Sequence, residues 1–360
     1  RYSKQTYNIL GKCDKVESYR RISSPQGRRA HEPQGERVNV MGKDKRRVVL
    51  VGCGMVGMSY AYAMLNQQTC DELVLIDYVK EKAEGEAMDL NHGLAFSGSH
   101  MKIWSGTYAD CKEADIVTIC AGVAQKPGES RMDLLARNTA IFKSIVEPVT
   151  DSGFNGIFLI ATNPVDVMTK VTCDLSGFNP KRVIGSGTSL DTARLRYLVG
   201  SYFKVDPRSI HGYVMGEHGD SEFVPWSQVC IATKPVLDVI AESNGVYKKE
   251  ELEKIEVDVR TAADKIIAAK KATYYGIGIA LTRLTKAILG DESSVQTVSV
   301  YLRGEYKQNG VFAGVPAVIN ASGVQSVIRC QITEEEQEKF DASCKELKDK
   351  IAEAERDLNH

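Results

Sequence analysis

No apolar run in this 360-residue sequence approaches the ~20 residues that a bilayer crossing requires, and no signal-peptide core follows the N-terminus. The nine cysteines include no CxxC pair and no Cys/His ligand spacing. That pattern speaks against a zinc ribbon or a redox dithiol, no metal is expected, and the cysteines read as buried or free thiols in a reducing compartment, the cytoplasm. An excess of charge is missing too: 46 Lys and Arg face 47 Asp and Glu, for a formal net charge of -1. Neither nucleic acid nor an anionic membrane is therefore expected as a partner, and a small molecule is. Histidine is scarce, with six in the whole chain.

What is present is an ordinary globular composition, 43% hydrophobic and 26% charged. The length exceeds what one core usually fills, so two lobes are expected. Residues 1–45 carry many Arg, Lys, Gln, Ser and Gly and little apolar periodicity. They read as an N-terminal extension, disordered or loosely attached. A targeting remnant, a leader and a real arm all remain open for it, with Met41 just before the first clear element.

From Arg47 the pattern changes. Val48-Val49-Leu50-Val51 is the kind of run found in a strand buried on both faces, and Gly52-Cys53-Gly54-Met55-Val56-Gly57 follows at once, ahead of a helical stretch. A G-x-G-x-x-G turn between strand and helix lets backbone N–H groups approach a pyrophosphate at the positive helix N-terminus. A second run, Leu73-Val74-Leu75-Ile76, ends in Asp77, where the dinucleotide fold places an acid on the ribose hydroxyls. An acid there repels a ribose phosphate, so NAD is expected rather than NADP. Strands at 101–104, 115–121, 157–160 and 183–184 alternate with helices at 80–92, 134–149 and from Pro164 onward. The expected fold is α/β, a doubly wound parallel (Rossmann) sheet over residues 46–187. Residues 188–360 read as an α+β substrate-binding and catalytic lobe, with hairpin-like strands at 210–215 and 229–233, helices at 248–271 and 276–289, strands at 295–302 and 310–319, and a charged terminal helix over 334–358.

Ligands in such a sheet lie beyond the carboxyl ends of the strands, which directs attention to three segments. The first, Gln125-Lys126-Pro127-Gly128-Glu129-Ser130-Arg131, has the composition of a loop that closes over a ligand and carries Arg131 to a developing negative charge; an ordinary polar surface loop is the alternative. In the second, Asp191 and Arg194 lie three apart at a helix start. Arg194 suits bidentate capture of a carboxylate, and Asp191 suits accepting the Nδ1–H of a histidine, fixing its tautomer and raising its proton affinity. An intrahelical ion pair is the other reading of that spacing. The third is Gly216-Glu217-His218-Gly219-Asp220-Ser221, between the apolar Tyr213-Val214-Met215 and the bulky Phe223-Val224-Pro225-Trp226. It reads as a strand end opening into a turn, where His218 can face a pocket; a satisfied structural or surface histidine is the other reading of the segment by itself.

Together these blocks, with Ala121-Gly122-Val123-Ala124 ahead of the first loop, Ala161-Thr162-Asn163-Pro164-Val165-Asp166, Gly185-Ser186-Gly187-Thr188-Ser189-Leu190 and Ala272-Thr273-Tyr274-Tyr275-Gly276, give a sequence that closely resembles NAD-dependent L-lactate dehydrogenases of the bacterial type, within the lactate/malate dehydrogenase family. Only the N-terminal extension falls outside the resemblance. It implies that His218 donates and accepts the proton, Asp191 orients it, Arg131 polarises the ketone, Arg194 binds the carboxylate, and Asn163 and Thr273 line the site. It also implies cofactor contacts at Gly52, Gly54, Val56, Gly57, Asp77, Lys82, Tyr108, Gly122, Val123, Ser144, Ala161 and Asn163. Gln125 stands where malate-using relatives carry Arg, so pyruvate is expected over oxaloacetate; another 2-hydroxy-acid dehydrogenase is the nearest alternative, and an NAD-binding structural protein a more distant one. Arg196 and His211 match positions that bind fructose bisphosphate in allosteric bacterial relatives. A homotetramer and a place in glycolysis and fermentation complete the expectation.

Overall fold

Short strands without alternation lie at the centre because both of their faces are covered. The computed structural model describes residues 45–123 and 131–358; the N-terminal extension through residue 44 lies outside these, as does most of the loop beginning at Gln125. The first half runs β1 (Arg47–Val51), α1 (Met55–Gln67), β2 (Glu72–Ile76), α2 (Lys80–Gly93), β3 (Lys102–Ser105), β4 (Ile116–Ile119), α3 (Arg131–Asp151), β5 (Ile157–Ile160), α4 (Val165–Ser176) and β6 (Val183–Gly185). Every residue of β2, β4 and β5 is buried. These six strands are parallel, in the spatial order β6-β5-β4-β1-β2-β3. The order reverses between β1 and β4, which opens the crevice where a doubly wound sheet takes a ligand.

The second half begins with α5 (Ser189–Phe203), then three two-residue strands, β7 (Ile210–His211), β8 (Cys230–Ile231) and β9 (Lys234–Pro235). After them come α6 (Val236–Ala241), α7 (Glu250–Lys270), α8 (Tyr275–Leu289), β10 (Ser294–Arg303), β11 (Asn309–Asn320), β12 (Gly323–Val327) and α9 (Glu334–Leu358). Acids in the first turn of α7 and Lys270 in its last turn match the helix dipole. The strands β10, β11 and β12 form an antiparallel meander that joins the parallel sheet through Ser299 opposite Gly185. One nine-stranded sheet therefore runs across the division expected near residue 187. A second apolar core, built on Leu195, Val199, Phe203, Val229, Leu252 and Val259, lies among α5, α7 and the small sheet.

Two differences from the sequence reading have local causes. The strand expected over 210–215 stops at His211, because Met215 leaves the small sheet to bridge Phe223 and Gly216 bridges Gly314 of β11. The edge strand β12 and the short helix α6 have no counterpart in the sequence reading. β12 has exposed Gln325 and Ser326 in its middle, so its apolar pattern is too brief to register. No described helix is long and apolar enough to cross a membrane.

Candidate active site

The antiparallel bridge between Met215 and Phe223, with backbone hydrogen bonds of 2.9 and 3.0 Å, closes residues 216–222 into a tight excursion. His218 sits at its centre. Two outside groups fix the excursion from below. Asp166, in the first turn of α4, accepts the backbone N–H of His218 at 2.9 Å and the hydroxyl of Ser299 from β10. Glu217, also buried, accepts from Lys350 of α9 and from Ser221, while its N–H donates to Ser343 at 2.8 Å. The His218 backbone is thus tied to α4, β10 and α9, elements that already share the main core.

The ring is held from the other side by α5. His218 Nδ1 and Asp191 Oδ2 are 2.6 Å apart, and Arg194 donates to the second oxygen, Oδ1, at 2.7 Å. The two readings of the Asp191–Arg194 spacing are therefore both realised: it is an i,i+3 ion pair, and it also presents an oxygen to the histidine. Asp191 is 1% exposed. Burial alone would raise its carboxyl, but His218, followed by Arg194, overrides this and holds it below the usual carboxylate range. For His218, burial works against the charged ring, and the adjacent Asp191 carboxylate more than reverses it, with Glu222 and Asp166 adding in the same direction; the ring is pushed up to about 9. Asp166 rises to about 6 because burial outweighs its two hydrogen bonds.

The glycine turn lies at the β1–α1 junction beside the sheet crevice. Gly52 has φ +103°, and a Cβ on Gly57 would stand 2.0 Å from the Gly52 carbonyl oxygen, so neither position admits a side chain. At Gly54, by contrast, a Cβ would meet nothing within 4 Å. Gly54 is itself the N-cap of α1 and has no side chain to bond the first turn, so the helix start is left open as a cradle that a pyrophosphate fits. Asp77 accepts the N–H of Cys53 at 2.8 Å and that of Val79 at 3.0 Å, bracing the turn from the end of β2, and Lys82 lies 4.0 Å away. Val56 is half-buried in the first turn of α1, and Tyr108 is half-buried just past β3. Across the crevice, Asn138 of α3 accepts from the N–H of Val123 at 3.0 Å and donates to the carbonyl of Asn163 at 3.3 Å. It joins the segments after β4 and β5 that carry Gly122, Val123, Ala161 and Asn163.

Other expected residues are placed less tightly. Ser144 is exposed and bonds the Ile141 carbonyl of its own helix. Thr273 is half-buried on the α7–α8 connection, and among the described residues no hydrogen bond joins it to the His218–Asp191 pair. Arg196 donates to the carbonyl of Gly212, next to the exposed His211, and lies over the Tyr213 ring. Gln125 and the side chain of Arg131 lie outside the described residues. The sequence reading assigns no role to Asn138, Asp166, Ser299, Glu217 or Glu222. Asp166 and Glu217 stand within the motif blocks, but a buried acid announces itself in sequence only as an acid among apolar neighbours.

A crevice at the reversal of a parallel sheet, lined by a glycine turn and facing a histidine with an ionised partner, suits an oxidoreductase that uses a dinucleotide. Residues 46–185 match the family model described as the lactate/malate dehydrogenase NAD binding domain, and residues 188–357 match the lactate/malate dehydrogenase alpha/beta C-terminal domain. The chain belongs to the lactate/malate dehydrogenase family and is an NAD-dependent oxidoreductase. It is 56% identical over 312 residues to L-lactate dehydrogenase 2 of Bacillus anthracis, covering 87% of this chain and 99% of that relative. It is 53% identical over 312 residues to L-lactate dehydrogenase 1 of the same organism, with the same coverage. Among solved structures, a lactate dehydrogenase from a Medee basin deep-sea metagenome library superposes with a TM-score of 0.84 at 51% identity, covering 86% of this chain and 99% of that one.

Proposed function

We propose that this chain is an L-lactate dehydrogenase, interconverting pyruvate and L-lactate with NADH and NAD+, with residues 46–187 holding the cofactor and 188–360 completing the substrate site. The observation that carries the reading is the buried Asp191 with one oxygen on the His218 ring and the other on Arg194. When bound, NADH supplies the hydride that reaches the ketone carbon. Gly52, Gly54, Val56 and Gly57 would hold its pyrophosphate, Asp77 its ribose, and Lys82, Tyr108, Gly122, Val123, Ser144, Ala161 and Asn163 the remainder of the crevice.

The chain's own residues handle charge and proton. With Nδ1–H directed to Asp191, Nε2 is the nitrogen left to face substrate. In its protonated form it gives a proton to the oxygen on which negative charge develops, and in lactate oxidation it takes that proton back. Arg194 pairs with the substrate carboxylate through the part of its guanidinium not held by Asp191. Arg131 polarises the ketone from the start of α3, and Asn163 and Thr273 complete the walls. The alternative, a malate or other 2-hydroxy-acid dehydrogenase, turns on Gln125: a neutral amide leaves the second carboxylate of oxaloacetate desolvated and unpaired. Gln125→Arg is expected to move the ratio of kcat/KM toward oxaloacetate by at least about tenfold, as a new ion pair in a closed site would. NADH-oxidation assays with both keto acids check this, and an unchanged ratio refutes the role of Gln125.

The same reading includes a homotetramer in the cytoplasm, working in glycolysis and fermentation, with fructose bisphosphate as an effector at Arg196 and His211. Arg196 and the segment after His211 already touch, which supports a shared anion site at that place. Turnover with pyruvate and NADH at all excludes a structural protein that merely binds NAD.

A further inference from the structure

Glu222 is a buried acid for which the proposed reaction has no use. It lies four residues past His218, at the end of the excursion that the Met215–Phe223 bridge closes, and is 4% exposed. A carboxylate oxygen of Glu222, one of Asp191 and a ring nitrogen of His218 all lie within 4.8 Å of one another. Among the described residues, no hydrogen bond ends on the Glu222 carboxyl group. A carboxyl held this far from bulk water and this close to Asp191 is costly to ionise.

We infer that Glu222 is a third acidic partner of the His218–Asp191 pair, a positioning residue that raises the proton affinity of His218 without touching substrate or cofactor. The inference rests on the reading of His218 as the proton donor. The groups around the ring define what Glu222 adds. From α5 come Asp191 and Arg194, which hold each other at 2.7 Å. From α4 comes Asp166, bonded to the His218 N–H. From α7 come Arg260, whose Nη2 donates to the Glu222 backbone carbonyl at 3.3 Å, and Glu256, 3.4 Å from that same nitrogen. From the excursion and α9 come Glu217 and Lys350, paired with each other. Asp191 and Glu217 each have a cation in contact, whereas Glu222 has Arg260 only at its main chain. Burial, and after it the Asp191 charge, pushes Glu222 up to about 8, with His218, Arg194 and Arg260 opposing. It therefore becomes charged within the range in which His218 gives up its proton, and the two groups titrate as a coupled unit. As pH rises, the appearing negative charge on Glu222 delays the loss of the proton from His218.

The test is the pH profile of kcat/KM for pyruvate reduction in Glu222→Gln, Glu222→Met and Glu222→Asp, with thermal melts at each pH to establish that each variant is folded. The two neutral replacements give the experiment a polar and an apolar version, so failure of one to fold leaves the other. The alkaline limb, where activity falls as His218 loses its proton, is expected to move down by about one pH unit in the neutral variants, the lower end of what a charge at this range produces. The rise of lactate oxidation with pH is expected to begin correspondingly earlier, and Glu222→Asp is expected to keep its limb near that of the wild type. A folded neutral variant with an unmoved limb and only a lower amplitude would overturn the inference and leave Glu222 a packing residue. His218→Asn separates the underlying reading: an alkaline limb that persists in that variant refutes His218 as the titrating donor, and the inference with it, whatever the Glu222 variants do.

Discussion

Replacing Asp191 by Asn tests the His218–Asp191 pair most directly, because the size of the effect and its dependence on pH both follow from the geometry. The rise of His218 from its ordinary 6.5 to about 9 corresponds to about 3 kcal/mol in favour of the imidazolium at roughly 1.36 kcal/mol per pH unit. Burial opposes that rise, so Asp191, the largest favourable contributor, is responsible for most of it. With Asn in its place the ring keeps its burial and loses its counter-charge, and its proton affinity falls to the ordinary value or below. At about pH 8, a group titrating near 9 is roughly nine-tenths protonated and one titrating near 6.5 is roughly 3% protonated, a deficit of about 30-fold in kcat/KM for pyruvate from protonation alone. At about pH 5.5 both are protonated and that part of the deficit vanishes, leaving only the cost of a poorly fixed tautomer. The variant should therefore be far more impaired at alkaline than at acid pH. Thermal melts should agree. A histidine with a raised folded-state pKa contributes stability that is fully present below 6.5 and is lost as pH rises through about 9. The melting-temperature gap between wild type and Asp191→Asn should narrow over that window. A deficit of constant size from acid to alkaline pH would refute the assignment of the raised proton affinity to Asp191.

The glycine turn yields a contrast between two neighbouring substitutions. Gly57→Ala places a methyl group 2.0 Å from the Gly52 carbonyl oxygen and should lower stability by about 1–3 kcal/mol as well as weaken NADH. Gly54→Ala, which meets nothing within 4 Å, should melt as the wild type does yet lose at least about tenfold in NADH affinity by fluorescence titration; unimpaired binding would remove the pyrophosphate from that cradle. At the proposed effector site, fructose bisphosphate should lower the pyruvate concentration needed for half-saturation, and Arg196→Gln should abolish the response. Saturation curves that coincide with and without the sugar bisphosphate would sink that role.

The parallel half of the fold was legible because strands buried on both faces are written as unbroken apolar runs, and β1, β2 and β5 are followed within three residues by Gly52, Asp77 and Asn163, residue types that break such runs. The charged terminal stretch reads as a helix over the span that α9 occupies. The meander was half-legible. Long strands such as β11 register as apolar stretches, but nothing in a linear pattern shows that Ser299 will pair with Gly185 and fuse the meander to the parallel sheet. At the site, Asp191 and Arg194 were visible as a pair because helical spacing is local. Glu222 was not, since its relation to Asp191 depends on a contact between α5 and the excursion after Met215. Asn138 was hidden for the same reason: a polar residue inside a long helix gives no signal until both of its ends are seen to reach different strand termini.

Three acids surround His218, and their different partners decide which proton is free to move. Asp191 touches two cations and stays ionised, so it can anchor the ring but cannot store a proton. Asp166 has only neutral donors, a hydroxyl and a backbone N–H, and so rises to about 6; protonating it would weaken the bonds that hold the His218 backbone. Glu222 has no donor on its carboxyl among the described residues and rises further, to about 8. With Nδ1–H directed to Asp191, the His218 ring keeps that bond whether or not Nε2 carries a proton. On the proposed reading, the proton exchanged with substrate is the one on His218, and the surrounding acids set the pH at which that exchange is balanced. A site built this way should respond to loss of each acid differently: loss of Asp191 by a large movement of the alkaline limb, loss of Glu222 by a smaller movement of the same limb, and loss of Asp166 mainly by loosening of the excursion that carries the ring.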